Sequence, residues 1–459
     1  MEKSKTYLSV LIGLAIILSM IIPASAAEVT PGTVDLQAKT MVALSSSSST
    51  SLQPVVTETG KYTLSVDGLG VYDGVPGIIQ VEKPAGATVK SAYMAAADVW
   101  GSGQIPDGAI TIDGQGVNWD LIIAASANNH WADVTTLVKP KIDAAPAGRV
   151  DFTIVENYYA DGVILIVIFE DPNASVNTIV LMFGAQATGG DTFQILLAEP
   201  IDKSNLNLDL IMGLGISYSY QSGSSQYSII DVNGNRLTSS AGGEDDGFSA
   251  NGGLITVGGL DDSTANPADP YQTAYSDPRL DDELYNIKGL VNDGDTSITV
   301  FTQNPSNDDN IFFAYFDLKS TVAVVGEGIV LSPSSATNNV GTSHTVTSTV
   351  QDNAGNPVVG TLVSIEVISG PNTGAGISTV TDNNGQASMT YTSYTVGTDT
   401  IVASFINSQQ VTVYSNEVTK TWITETTPPT NEIPEFPTMV LPIAAILGLA
   451  FVLGRKKEE

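Results

Sequence analysis

Apolar and polar positions along most of this chain fall in short runs, with almost no long helical periodicity between Val56 and Ile423. Runs rich in Val, Ile, Thr, Tyr and Phe are bounded by Gly, Asn, Asp and Pro. That is the pattern of strands joined by tight turns, and it predicts an all-β body. Within 56–325 one order of elements occurs twice. In the first pass, Trp131–Val138 predicts a short helix or turn, capped by Asp133 and ended by Pro140. It is followed by the strand Asp151–Glu156, a loop at 157–162 and the apolar strand Val163–Phe169. In the second, Asp277-Pro278 predicts the start of a helix that ends before Gly289, with Leu280, Leu284 and Ile287 on one face. The strand Ser297–Gln303, a loop opening at Asn304 and the apolar strand Ile311–Phe316 then follow. Asn157 and Asn304 lead equivalent loops 147 residues apart. The region is therefore expected to be a duplicated, jelly-roll-like β-sandwich head, with units at roughly 56–190 and 191–325.

Seven strand-like runs follow in 326–423, around Ile329, 343–351, 362–369, 377–381, 387–391, 397–405 and 410–422. This number and spacing predict an immunoglobulin-like sandwich. Two turns, Asp352-Asn353-Ala354-Gly355-Asn356-Pro357 and Asp382-Asn383-Asn384-Gly385-Gln386, need Gly or Asn at positive φ between alternating strands. With these residues the segment resembles bacterial Ig-like domains of the invasin/intimin type, which implies a spacer role in a surface protein and no site. Trp131–Val138 and the stretch from Asp281 to Phe312 are also similar to an uncharacterised β-domain of methanogen and bacterial surface proteins, which implies a location and no chemistry.

The two ends depart from this pattern. Residues 1–26 combine Lys3 and Lys5, an apolar run from Tyr7 to Ile22 and Ala24-Ser25-Ala26, the plan of a cleaved secretory signal peptide. Residues 27–55, with Ser45–Ser49, read as a flexible lead-in, and 424–433, with Pro428-Pro429, as a stiff extended linker. At 434–459, Pro434-Glu435-Phe436-Pro437 precedes an apolar run from Met439 to Leu453 and then Arg455-Lys456-Lys457. Such a run is just long enough to form a transmembrane helix, with the basic cluster on the cytoplasmic side. Motif, span and basic end together resemble the archaeal PEF-CTERM sorting signal. The resemblance implies that an archaeosortase-type enzyme cuts near the motif and leaves the protein on a membrane-anchored lipid.

Composition narrows function more than it defines it. Eighteen Lys and Arg stand against 49 Asp and Glu, a net charge of −31, which argues against a nucleic-acid partner. The absence of cysteine removes thiolate metal sites and thiol nucleophiles. From 191 to 320 there are 20 acidic and 5 basic residues. Clustered carboxylates with loop carbonyls suit calcium, and Glu244, Asp245, Asp246, Asp308 and Asp309 are the candidate ligands. Asp231-x-Asn233-x-Asn235 begins like a calcium loop but has Gly242 where an EF-hand needs Glu. No cofactor is required by any motif. The two histidines, His130 and His344, come with no nucleophile motif, so no catalytic residues are assigned and a non-enzymatic protein is expected. Adjacent aromatics at a strand-end loop cannot both face one core. Tyr158 and Tyr159 are therefore the candidates for stacking on sugar rings. Asn173-Ala174-Ser175 is a candidate N-glycosylation site.

These features predict an exported, C-terminally anchored archaeal surface protein with a structural or adhesive role, binding surface polysaccharide or neighbouring surface proteins. The alternative is a surface-tethered hydrolase acting on polysaccharide or protein.

Overall fold

The structure is a computed structural model. It describes residues 51–71, 74–99, 101–125, 127–187, 189–218, 228–242, 246, 254–265, 267, 283–305, 307, 309–424 and 440–454. The expected signal peptide at 1–26, most of the expected lead-in and linker, and the motif at 434–437 lie outside these residues.

The first half of the head contains β1 (Gln53–Leu69), β2 (Pro76–Lys83), β3 (Thr88–Asp98), β4 (Ile110–Ile112), β5 (Gln115–Gly116), β6 (Leu121–Ala124) and β7 (Asn128–Asp133). Helix α1 (Thr135–Ala144), β8 (Gly148–Glu156) and β9 (Ala160–Glu170) complete it. The second half contains β10 (Val176–Phe183), β11 (Asp191–Leu197), β12 (Asp209–Ser217), β13 (Ser228–Val232), β14 (Asn235–Ala241), β15 (Ile255–Val257) and β16 (Leu284–Asn286). A 3-10 turn at Ile287–Leu290, β17 (Ser297–Gln303), β18 (Asn310–Lys319) and β19 (Ala323–Val325) follow.

The two halves repeat one pairing scheme. In the outer sheets the order β2-β8-β4-β5 is matched, position by position, by β11-β17-β13-β14. In the inner sheets β9 lies between β1 and β3, and β18 lies between β10 and β12. On this scheme the repeat begins at β10, because β10 is the counterpart of β1, rather than at residue 191. The inner sheets are joined by an antiparallel ladder between Gln53–Lys61 of β1 and Val176–Phe183 of β10, while Tyr62–Leu69 of β1 pairs with β9. One ten-stranded sheet results. The lead-in accordingly ends earlier than its polarity suggests: Leu52 is buried in the core of the second half.

This sheet folds over at the join, so that its two halves pack face to face. Trp131 of β7 lies 5.4 Å from Phe183 and 6.4 Å from Phe313 of the other half. A Cβ at Gly215 of β12 would come within 2.4 Å of Ile164 Cδ1 of β9, so close approach of the layers requires glycine there. Each outer sheet covers one outer face, giving four layers. The alternation of a strand then explains the apolar runs. In β9, Val163, Leu165, Val167 and Phe169 enter the core beneath the outer sheet, and Ile164, Ile166 and Ile168 enter the core between the inner sheets.

Both helix expectations need correction. Trp131–Asp133 is strand, and α1 continues through Pro140 to Ala144. Pro140 sits in the second turn, where it removes one backbone bond, while Val138 and Ile142 bury the helix in the core. In the second half, Leu284 belongs to β16, paired with β12, and Ile287–Leu290 is a single 3-10 turn that includes Gly289. Residues 277–282 lie outside the described residues. Tyr285 and Ile287 are buried, so tertiary packing decides this segment.

The C-terminal domain contains β20 (Gly328–Ser332), β21 (Ser335–Asn339), β22 (Ser343–Gln351), β23 (Leu362–Ser369), β24 (Gly376–Val380), β25 (Gln386–Thr392), β26 (Gly397–Ile406), β27 (Thr412–Tyr414) and β28 (Val418–Ile423). A three-stranded sheet, β20-β22-β25, packs on a sheet ordered β21-β28-β26-β23-β24. Gly355 (φ +80°) and Gly385 (φ +71°) occupy the two turns. The expected single run at 410–422 is two strands, because Asn416 turns inward to exchange hydrogen bonds of 2.9 Å with the backbone of Leu331.

Helix α2 (Val440–Gly454) covers the apolar tail. Its 15 residues span about 22 Å, short of a hydrocarbon core of about 30 Å. No helix among the described residues is long and apolar enough to cross a membrane.

Candidate functional site

At one end of the head the loops of both halves converge. The start of β9 meets the loop between β17 and β18, the connection between β6 and β7, the segment after β10 and the end of β12. They enclose a cavity of about 80 Å³ lined by Asp161, Gln186, Tyr218, Asn304, Asn307, Asp309, Asn310 and four alanines.

Polar ties across this end join the halves. Asn310 Nδ2 donates to Asn129 Oδ1 at 2.8 Å and to Ser217 Oγ at 2.7 Å. Asn129 Nδ2 donates to Gly184 O at 2.7 Å. In the 304–309 loop, Asn304 Oδ1 accepts from Asn307 N at 2.7 Å, and Asp309 Oδ2 accepts from Ser228 Oγ at 2.9 Å.

The first half contributes three fully buried acids: Asp98, Glu156 and Asp161. None of them forms a salt bridge among the described residues. Asp98 accepts from Asn128 N at 2.7 Å and from Asn128 Nδ2 at 2.5 Å. Glu156 Oε2 accepts from Val71 N at 3.3 Å, while Oε1 has no partner. Neither oxygen of Asp161 has one. The Tyr218 N–H and the Ser217 hydroxyl favour its ionised form. Burial holds the carboxyls of Asp161 and Glu156 well above the usual carboxylate range, and the charges of Asp98 on Asp161 and of Asp161 on Glu156 add to it. Burial lowers His130 to about 4, so its ring is neutral at pH 7. His130 Nε2 accepts from Ile105 N at 3.1 Å.

Of the residues singled out in the sequence, Asp309 reaches the cavity, whereas Asp246 is engaged at β15, its Oδ2 accepting from Val257 N at 2.6 Å. Glu244, Asp245 and Asp308 lie outside the described residues, and among those described no three His or acidic side chains are grouped to hold a metal ion. Tyr158 and Tyr159 part company. Tyr158 packs on the first-half core and donates to Ser102 O at 2.7 Å. Tyr159 is 56 % exposed, two residues from Asp161. Asn173 is exposed at its turn, its Nδ2 donating to Ala85 O at 3.1 Å. Sequence reasoning missed Asp161, Glu156 and Asp98. The available signal was a charge at the head of an otherwise apolar strand, Asp161 before Val163–Phe169.

Residues 433–457 match the PEF-CTERM archaeal protein sorting domain. This match supports a cell-surface anchored protein. No curated protein matches it. Among solved structures it is similar to the D0-D1 domain of intimin, at 14% identity over 55% of this chain and 92% of that one, with a TM-score of 0.20. It is also similar to a putative membrane anchored protein from Corynebacterium diphtheriae, at 11% identity over 82% of this chain and 61% of that one, with a TM-score of 0.20.

Proposed function

We propose that the protein is an envelope-binding display protein whose loop end takes surface polysaccharide. An archaeosortase-type enzyme would cut near Pro434–Pro437 and leave the mature chain on a membrane lipid, with the Ig-like domain as spacer and the head outermost. The observation that carries the binding reading is the exposed ring of Tyr159, two residues along the chain from Asp161 of a cavity lined by amide and carboxylate groups. Aromatic faces stack on the apolar faces of sugars, and amides and carboxylates match sugar hydroxyls as donors and acceptors. The reading is non-enzymatic, because no motif in the sequence assigns a catalytic residue.

Retention of the purified protein on homologous cell envelopes tests this. Saturable retention that falls at least tenfold in Tyr159→Ala, and that disappears when envelope glycans are trimmed, is expected. Equal retention of both proteins on trimmed and untrimmed envelopes would contradict it.

A further inference from the structure

A carboxylate removed from water needs a counter-charge or several donors. Asp161, at the head of β9, is fully buried and is one of the residues that line the cavity, and neither of its oxygens has a hydrogen-bond partner. No Lys or Arg forms a salt bridge with it among the described residues. A second carboxylate residue, Asp309, lines the same cavity, as do the amide residues Asn304, Asn307 and Gln186.

We infer that this cavity is a binding site for one hard divalent cation of the calcium class, held by Asp161 of the first half and Asp309 of the second, with amide oxygens and water. Calcium accepts six to eight oxygen ligands in irregular geometry and mixes carboxylates with carbonyls and waters. A site with two carboxylates therefore suffices. The volume, about 80 Å³, admits an ion with one or two waters, at about 30 Å³ per water. Among the described residues the wall offers no sulfur and no imidazole, which disfavours softer metals. The charge of Asp98 acts on Asp161, and negative potential there favours a cation over an anion. The ion would bridge the two halves at the open end of the folded sheet, where the Asn129–Asn310 pair already joins them.

The inference is independent of the glycan reading and is tested without polysaccharide. Chelator-treated full-length protein in detergent is titrated with terbium, whose luminescence nearby tyrosines sensitise, and with calcium while melting is followed. Terbium emission displaced by calcium is expected, with a Tm rise of about 5 °C or more at calcium a hundredfold above Kd. Asp161→Asn should abolish both. Asp309→Asn, on the partly exposed loop, should weaken binding at least tenfold. Asp246→Asn, outside the cavity, should bind as the parent does. Absence of any cation effect in the parent, or an undiminished effect in Asp161→Asn and Asp309→Asn, would overturn the proposal. In that case Asp161 is a buried neutral acid. Should Asp161→Asn not fold, Asp309→Asn alone decides the matter.

Discussion

The Ig-like domain and the loop end of the head each bury an aspartate completely, and they treat it in opposite ways. Asp399 of β26 receives four hydrogen bonds, from Asn372 N at 2.9 Å, Asn372 Nδ2 at 2.7 Å, Tyr391 Oη at 3.0 Å and Trp422 Nε1 at 2.8 Å. The donors come from three separate parts of the sandwich, so the carboxylate pins the strands around Trp422. Asp161 receives none and is one of the residues that line a cavity. A buried carboxylate surrounded by donors is finished structure. One without them is costly to the fold, and that cost is repaid only when something binds. Burial alone does not separate the two cases, since both residues are fully buried.

The contrast can be broken most sharply at Asp399. Asp399→Leu orphans four donors at roughly 1–3 kcal/mol each, so the Ig-like domain should lose at least about 3 kcal/mol, read as an early separate transition in calorimetry. Asp161→Asn should do the reverse. In chelator at pH 7 it should leave the head as stable as the parent or stabilise it by about 1 kcal/mol, because a neutral amide replaces a group whose ionisation burial opposes. A loss as large as that at Asp399 would show that the two sites are alike.

Asp67 offers an intermediate case. Burial raises it to about 6, although Gln80 N donates to Oδ2 at 2.5 Å and the Arg149 charge pulls the other way. An acid whose folded pKa exceeds its unfolded value binds more protons when folded. Its contribution therefore favours the fold at pH 3–4 and is lost as pH rises to about 6. Asp67→Asn should flatten that decline and raise stability at pH 7 by on the order of 1 kcal/mol, allowing for partial exposure. Urea melts at pH 4 and pH 7 measure it. The smallest effect belongs to Tyr159→Ala, which should change stability by less than about 0.5 kcal/mol while removing the exposed ring.

The strands were the legible part. Alternating runs such as β22 and β26 identify themselves because one face meets the core and the other meets water, and the Asp-led turns at 352 and 382 carry their glycines. The repeat was legible from the order of elements around Asn157 and Asn304. Face-to-face packing of the inner sheets was written only as a double burial of β9 and β18, which periodicity cannot distinguish from a buried strand of another architecture. Elements that depend on tertiary partners were misread: α1 runs through Pro140, and Leu284 joins β16. At the site, Asp309 could be proposed from composition, but Asp161 could not. Its distinguishing property, burial without a donor, exists only once β9, β12 and β18 are assembled. Tyr158 and Tyr159 were indistinguishable until Ser102 took the hydroxyl of one.

The most direct test of the loop end as the ligand-facing region is hydrogen exchange of the full-length protein with and without purified envelope polysaccharide. Slowed exchange confined to peptides around Tyr158–Asp161, Ala185–Ala187 and Asn304–Asn310 is the predicted result. Slowed exchange in the Ig-like strands between Gly328 and Ile423, with none at these three loops, would contradict the account.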